Sequence, residues 1–145
     1  MNTEAMAEGF ISDASYSLEE ARQAVNRGIY HRAVRRAEEC VELSLKATLR
    51  LLGVEYPRQH EVGDLLRRVS VERGLPEWFL SELPAIILVS KRLVEDRGPA
   101  FYGDEAAFTP PRNLYAKEDA EKAVSDAEDV LKICRNLFDW WKAKR

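Results

Sequence analysis

The sequence predicts an all-α protein, an antiparallel up-and-down bundle of four long helices plus one short helix. Apolar residues recur three and four positions apart over most of the chain, and no segment sustains the alternation of a β-strand. Glycine and proline punctuation is confined to Gly28, Gly53 to Pro57, Gly74 to Pro76, and Gly98 to Tyr115.

In the first helix Ala7, Phe10, Ala14, Ser17, Ala21 and Val25 trace one face, and Gly28 is placed to end it as the residue after the cap. The second helix spans Tyr30 to Leu52 and stops at Gly53. It carries a stripe of small residues (Ala33, Ala37, Cys40, Ser44, Ala47) and a stripe of larger ones (Val34, Val41, Leu45, Thr48, Leu52). So wide an apolar arc must be covered on more than one side, which makes this the central helix.

A short third helix, Glu61 to Glu72, buries Val62, Leu65, Leu66 and Val69. Pro76 suits the first turn of a fourth helix running to Asp96, with Phe79, Leu83, Ile86, Ile87, Ser90, Leu93 and Val94 facing inward. Pro84 within it should kink it or shift its start. The fifth helix, Lys117 to Ala143, has the most regular pattern, from Ala120, Ala123 and Ala127 through Leu131 and Cys134 to Phe138 and Trp141.

The 145 residues, 46% hydrophobic and 32% charged, fit one globular domain over positions 1–145 that needs no staples. Cys40 and Cys134 form no metal motif and leave open one bridge between them, so no metal or other cofactor is expected. The apolar run Leu83 to Val89 is too short to span a bilayer, and no basic segment followed by an apolar run opens the chain. A cytoplasmic protein without membrane contact is therefore expected. With a net charge of −3, any nucleic-acid contact must come from a local patch. Walker A, dinucleotide-glycine and GxSxG motifs are absent from the sequence.

The chemistry-bearing candidates fall in three places. Gly98 to Ala116 reads as a loop of nineteen residues holding Phe101, Tyr102, Phe108, Leu114 and Tyr115, and it follows Arg97. Arginine beside aromatics can grip a phosphate and stack a base. The plainer reading pairs Arg97 with Asp104 or Glu105 while the aromatics cap the bundle. The second candidate is a polar seam on the second helix, Arg35, Glu39, Glu42, Lys46 and Arg50, in which Glu42 and Lys46 have the favourable i,i+4 orientation. Third, His60 precedes the third helix as a candidate acid or base, and His31 opens the second; both also suit packing or capping.

From Gly28 to Gly53 the chain reads GIYHRAVRRAEECVELSLKATLRLLG, followed by Pro57-Arg-Gln-His60, Leu65-Leu66, the stretch Arg97 to Asp104, and Tyr115-Ala-Lys-Glu-Asp-Ala-Glu-Lys-Ala123. This order of features resembles the prokaryotic HEPN domain over nearly the whole chain. The resemblance implies a helical bundle that forms homodimers, works beside a minimal nucleotidyltransferase, and belongs to toxin–antitoxin and other defence systems. Many members are ribonucleases pairing an arginine with a histidine four to six residues later. Here those positions after Arg97 hold Phe101, Tyr102 and Gly103, and no histidine follows His60. Tyr102, with an ordinary pKa near 10, is a poor substitute. The expectation is therefore a non-catalytic homodimer that binds a nucleotide or a nucleotidyltransferase partner, through Arg97, Tyr102 and Asp104 with Glu42, Lys46 and His60. The alternatives are a metal-independent RNase acting on RNA, or an assembly bundle, which joint exposure of Trp78, Trp140 and Trp141 would favour.

Overall fold

The computed structural model describes residues 3–56 and 62–144. Its helices are α1 (Thr3–Asn26), α2 (Tyr30–Leu51), α3 (Val62–Glu72), α4 (Glu77–Leu80), α5 (Leu83–Glu95), α6 (Arg97–Tyr102) and α7 (Lys117–Ala143), with a 3₁₀ turn at Pro111–Asn113. Among the described residues there is no β-strand, and one isolated bridge joins Asp104 to Thr109. The all-α expectation holds.

α1 and α2 pack closely because small residues face one another: Ala14 and Ala21 on α1, and Ala33 and Ala37 on α2, are fully buried. The reversal between them is a Schellman turn. Gly28 takes φ +74° and its N–H donates to the Val25 carbonyl at 3.0 Å, while the Ile29 N–H donates to the Ala24 carbonyl at 2.8 Å. α2 is central, packed against α1, α5, α6 and α7. Its buried Ser44 and Thr48 hydroxyls donate to the carbonyls of Cys40 and Ser44, so both are satisfied without leaving the helix. Cys40 and Cys134 are free, buried thiols, pushed up by burial to about 12 and about 11, which keeps them protonated and unreactive.

The fourth segment departs from the sequence expectation. It is not one helix from Pro76 to Asp96 but α4 and α5, separated at Ser81 and Glu82. Proline at 84 cannot donate to the Leu80 carbonyl and its ring crowds it, so the ladder restarts with Pro84 in the first turn of α5. Val94, placed inside by the periodicity, is half exposed, whereas Phe79, Leu83, Ile86, Ile87 and Leu93 are buried as expected.

The supposed loop begins as a helix. α6 starts directly after α5, with Pro99 within its first turn, where the missing N–H leaves no gap, and Ala100 fully buried. Of the aromatics expected to cap the bundle, Tyr115 packs against the core and donates to Asp96 at 3.1 Å, whereas Phe101, Tyr102 and Phe108 are exposed, Phe108 by 93%. Trp140 and Trp141 pack against the core, while Trp78 on α4 is partly exposed, so the three do not form one exposed cluster.

Candidate functional site

The seam between α2 and α6 brings together charges far apart in sequence. Glu38 and Glu42 lie one turn apart on α2. Arg97, the first residue of α6, donates from Nε and Nη2 to the two carboxylate oxygens of Glu38 at 3.1 and 3.0 Å, and from Nη2 to Glu42 Oε1 at 2.7 Å. This is the two-pronged fit of a guanidinium on a carboxylate, with a second carboxylate recruited at the edge. Side-chain exposure is graded, 10% for Glu38, 36% for Glu42 and 54% for Arg97, so the acid is inside and the base forms the rim.

The electrostatics follow that gradient. Burial pushes the Glu38 carboxyl above its ordinary range; the Arg97 hydrogen bond pulls it back only in part, and Glu42 adds to the upward push. Arg97 is held more firmly protonated than a free arginine, chiefly by its bond to Glu38. Tyr56 is pushed up by burial and then by Glu42 and Glu38, so it stays a phenol at neutral pH.

Next to this cluster Arg35 stacks its guanidinium over Phe101, 4.1 Å from the ring centre, and Tyr102 lies tilted against Phe101 with centroids 4.6 Å apart. Arg36 bonds Glu39 at 3.0 Å, and Glu39 also accepts from Ser17 on α1 at 2.6 Å. A cavity of about 190 Å³ lies among Arg35, Arg36, Glu38, Glu39, Glu42, Arg97 and Phe101. Three guanidinium and three carboxyl groups make a wall rich in both donors and acceptors. Such a wall suits a ligand edge that also carries both, rather than a bare anion.

The structure unites Arg97 with Glu42 and puts Tyr102 one ring away, but it disperses the other candidates. Lys46 does not pair with Glu42; its ammonium lies over the Phe10 ring at 4.9 Å, because α1 is within reach and Glu42 turns to Arg97. Asp104 does not pair with Arg97. It closes the following turn, exchanging backbone hydrogen bonds with Thr109 and accepting from the Ala107 N–H at 3.1 Å. His60 lies outside the described residues. His31 is in the first turn of α2, about 10 Å along the helix from Glu38. The sequence reading missed Glu38, although an acid four residues after Val34 and three before Val41 falls on the apolar face. It also missed the pairing of Phe101 with Arg35. Among the described residues no group of three or more His, Cys, Asp and Glu side chains is arranged to hold a metal. No described helix is long and apolar enough to cross a membrane.

A family model described as "HEPN domain" matches residues 7–137. The chain is 33% identical over 133 residues to a protein of Methanocaldococcus jannaschii named as a candidate toxin, MJ1304, covering 89% of this chain and 86% of that protein. The crystal structure of an archaeal HEPN homologue, ST0689, superposes with a TM-score of 0.65 at 26% identity, covering 91% of this chain and 97% of the other. That of TT1696 from Thermus thermophilus shares the fold, with a TM-score of 0.66 at 22% identity over 94% of this chain and 99% of the other.

Proposed function

This chain belongs to the HEPN domain family, and on that premise we propose that it is the nucleotide-binding component of a toxin–antitoxin-type two-component system. In this reading it acts as a homodimer beside a minimal nucleotidyltransferase partner and does no chemistry itself. The observation that carries the ligand half is the mixed wall at the α2–α6 seam, where Arg97 is fixed by Glu38 and Glu42 beside the Arg35–Phe101 stack. A nucleobase is flat, so it can lie along the aromatic pair, and its edge carries amino donors and ring-nitrogen acceptors that match carboxylates and guanidinium groups. Glu42 and Glu39, each more than a third exposed, are the acceptors a ring amino group can reach.

The non-catalytic half rests on the same residues. Arg97 is engaged by two carboxylates, Tyr56 is a protonated phenol, and neither His31 nor His60 follows Arg97 in the sequence. General acid–base cleavage of RNA needs a group poised near neutral pH beside the reacting hydroxyl. Isothermal titration of the intact protein with ATP, GTP, AMP and adenosine tests the ligand: heat with nucleotides at or below millimolar concentration is expected, and silence from all four overturns it. Purification from the host, with bound proteins identified by mass spectrometry, tests the partner. Loss of cellular RNA on incubation with the purified chain would replace this reading with the ribonuclease one.

A further inference from the structure

A cluster of four arginines lies beside the cleft, at the elbow where α1 turns into α2. Arg27 follows the last turn of α1, and Arg32, Arg35 and Arg36 occupy the first two turns of α2. The Schellman turn at Gly28 folds the two helix ends together, so that all four arginines line one surface cavity of about 220 Å³. Among the described residues Glu20 is the one acid in that lining. It sits 3.9 Å from Arg36, which also bonds Glu39, whereas Arg27 and Arg32 have no carboxylate partner among the described residues. Arg112, on the 3₁₀ turn, and His31 border the same region. His31 is held below its ordinary pKa by burial and then by the charges of Arg32, Arg112 and Arg35. A chain of net charge −3 thus concentrates positive charge where its central helix begins.

We propose that this elbow is an oligophosphate site, in which Arg27, Arg32, Arg35 and Arg36 hold a compact anion of the kind carried by a nucleoside di- or triphosphate. Guanidinium forks match phosphate oxygens in pairs, and a cluster of four cations, two of which, Arg27 and Arg32, have no carboxylate partner among the described residues, gains from a multivalent anion. The cavity has room for a few linked phosphates. An extended nucleic-acid strand fits less well, because a backbone leaving the elbow along α2 passes Glu39 and Glu42. The assignment deepens the nucleotide reading above: Arg35 and Arg36 line both cavities, which places the tail in one and the base in the other.

The probe is inorganic tripolyphosphate, titrated calorimetrically into the intact protein, with Arg27→Ala, Arg32→Ala and, as a charge-matched control on α3, Arg67→Ala. All three side chains belong to exposed residues, so their removal leaves the fold standing. Binding is expected to weaken about tenfold in each elbow variant and to be unchanged in R67A. The His31 imidazole, followed by NMR, should titrate at higher pH with tripolyphosphate present. Absence of heat, equal weakening in R67A, or tighter binding of a single-stranded oligonucleotide with the same number of phosphates would overturn the site. The two readings fail separately. Adenosine binding without tripolyphosphate binding removes the elbow site alone, and tripolyphosphate binding without any nucleoside effect removes the base site alone.

Discussion

Arg97 reaches across 59 positions of sequence to close both prongs of its guanidinium on Glu38, an acid whose side chain keeps only a tenth of its surface in water. The two partners therefore have unequal stakes. Arg97 loses little solvation in the pair, whereas Glu38 without Arg97 is a nearly buried carboxylate without its main donor. Arg97→Ala is expected to destabilise the protein by about 1–2 kcal/mol, discounted for the exposure of the arginine, or a few degrees in Tm. Adding Glu38→Gln to Arg97→Ala should recover most of that loss. Thermal unfolding of the two single variants and the double variant measures the coupling, and a double variant as unstable as the sum of the singles would contradict the account.

The pH dependence of stability follows from the same pair. Burial raises the folded-state pKa of Glu38 above its unfolded value near 4.3. A carboxyl raised by folding contributes stability that is fully present below the unfolded pKa and is lost as pH rises through the folded one. Wild type should accordingly lose ground against Glu38→Gln as pH rises from about 4 toward neutral. Urea unfolding of both proteins over that range shows it; a wild-type advantage that grows with pH would mean that the Arg97 bond outweighs burial.

That pair also marks where sequence reasoning reaches its limit. α1, α2 and α7 were legible because each buries a continuous face, so the spacing of Ala14, Ala21, Ala33, Ala37, Ala123 and Ala127 repeats the packing directly. Pro84 disclosed a disturbance, since its effect on the Leu80 carbonyl is local. α6 was not legible: six residues that include Gly98 and Pro99 are poor helix material, and the helix stands on tertiary contacts, Ala100 buried beneath it and Arg97 tied to α2. The same holds at the site. Glu42 has a suitable lysine four residues on, but the Arg97 guanidinium and the Phe10 ring are what the two side chains meet once the chain is folded.

Two glycines should respond in opposite directions to alanine. Gly103, at the end of α6, has φ +77° and ψ −158°, a region open almost only to glycine, and an added methyl would overlap the Thr109 carbonyl. Gly103→Ala is expected to cost about 1–3 kcal/mol and to loosen the turn that follows α6. Gly9 lies inside α1 on an exposed side, with open space where a methyl would stand, so Gly9→Ala should stabilise by about 0.5–1 kcal/mol. Chemical denaturation of the two variants checks both signs at once.

Phe101 separates ligand recognition from folding. Its ring is half exposed, so truncation removes little buried surface, yet it is the face on which Arg35 rests and against which Tyr102 leans. If a nucleobase lies along this pair, Phe101→Ala removes a stacking contact of about 1–3 kcal/mol, which corresponds to nucleotide binding weaker by about 5- to 150-fold. Phe108, 93% exposed on the turn between Asp104 and Thr109, is the matched control: Phe108→Ala deletes the same ring from the same segment outside the cavity lining. Calorimetric titration should find nucleotide affinity reduced in the first variant and retained in the second, with both melting within a few degrees of wild type. Equal affinity in all three proteins would remove the base from the Arg35–Phe101 face while leaving the Arg97–Glu38 pair as a structural tie between α6 and α2.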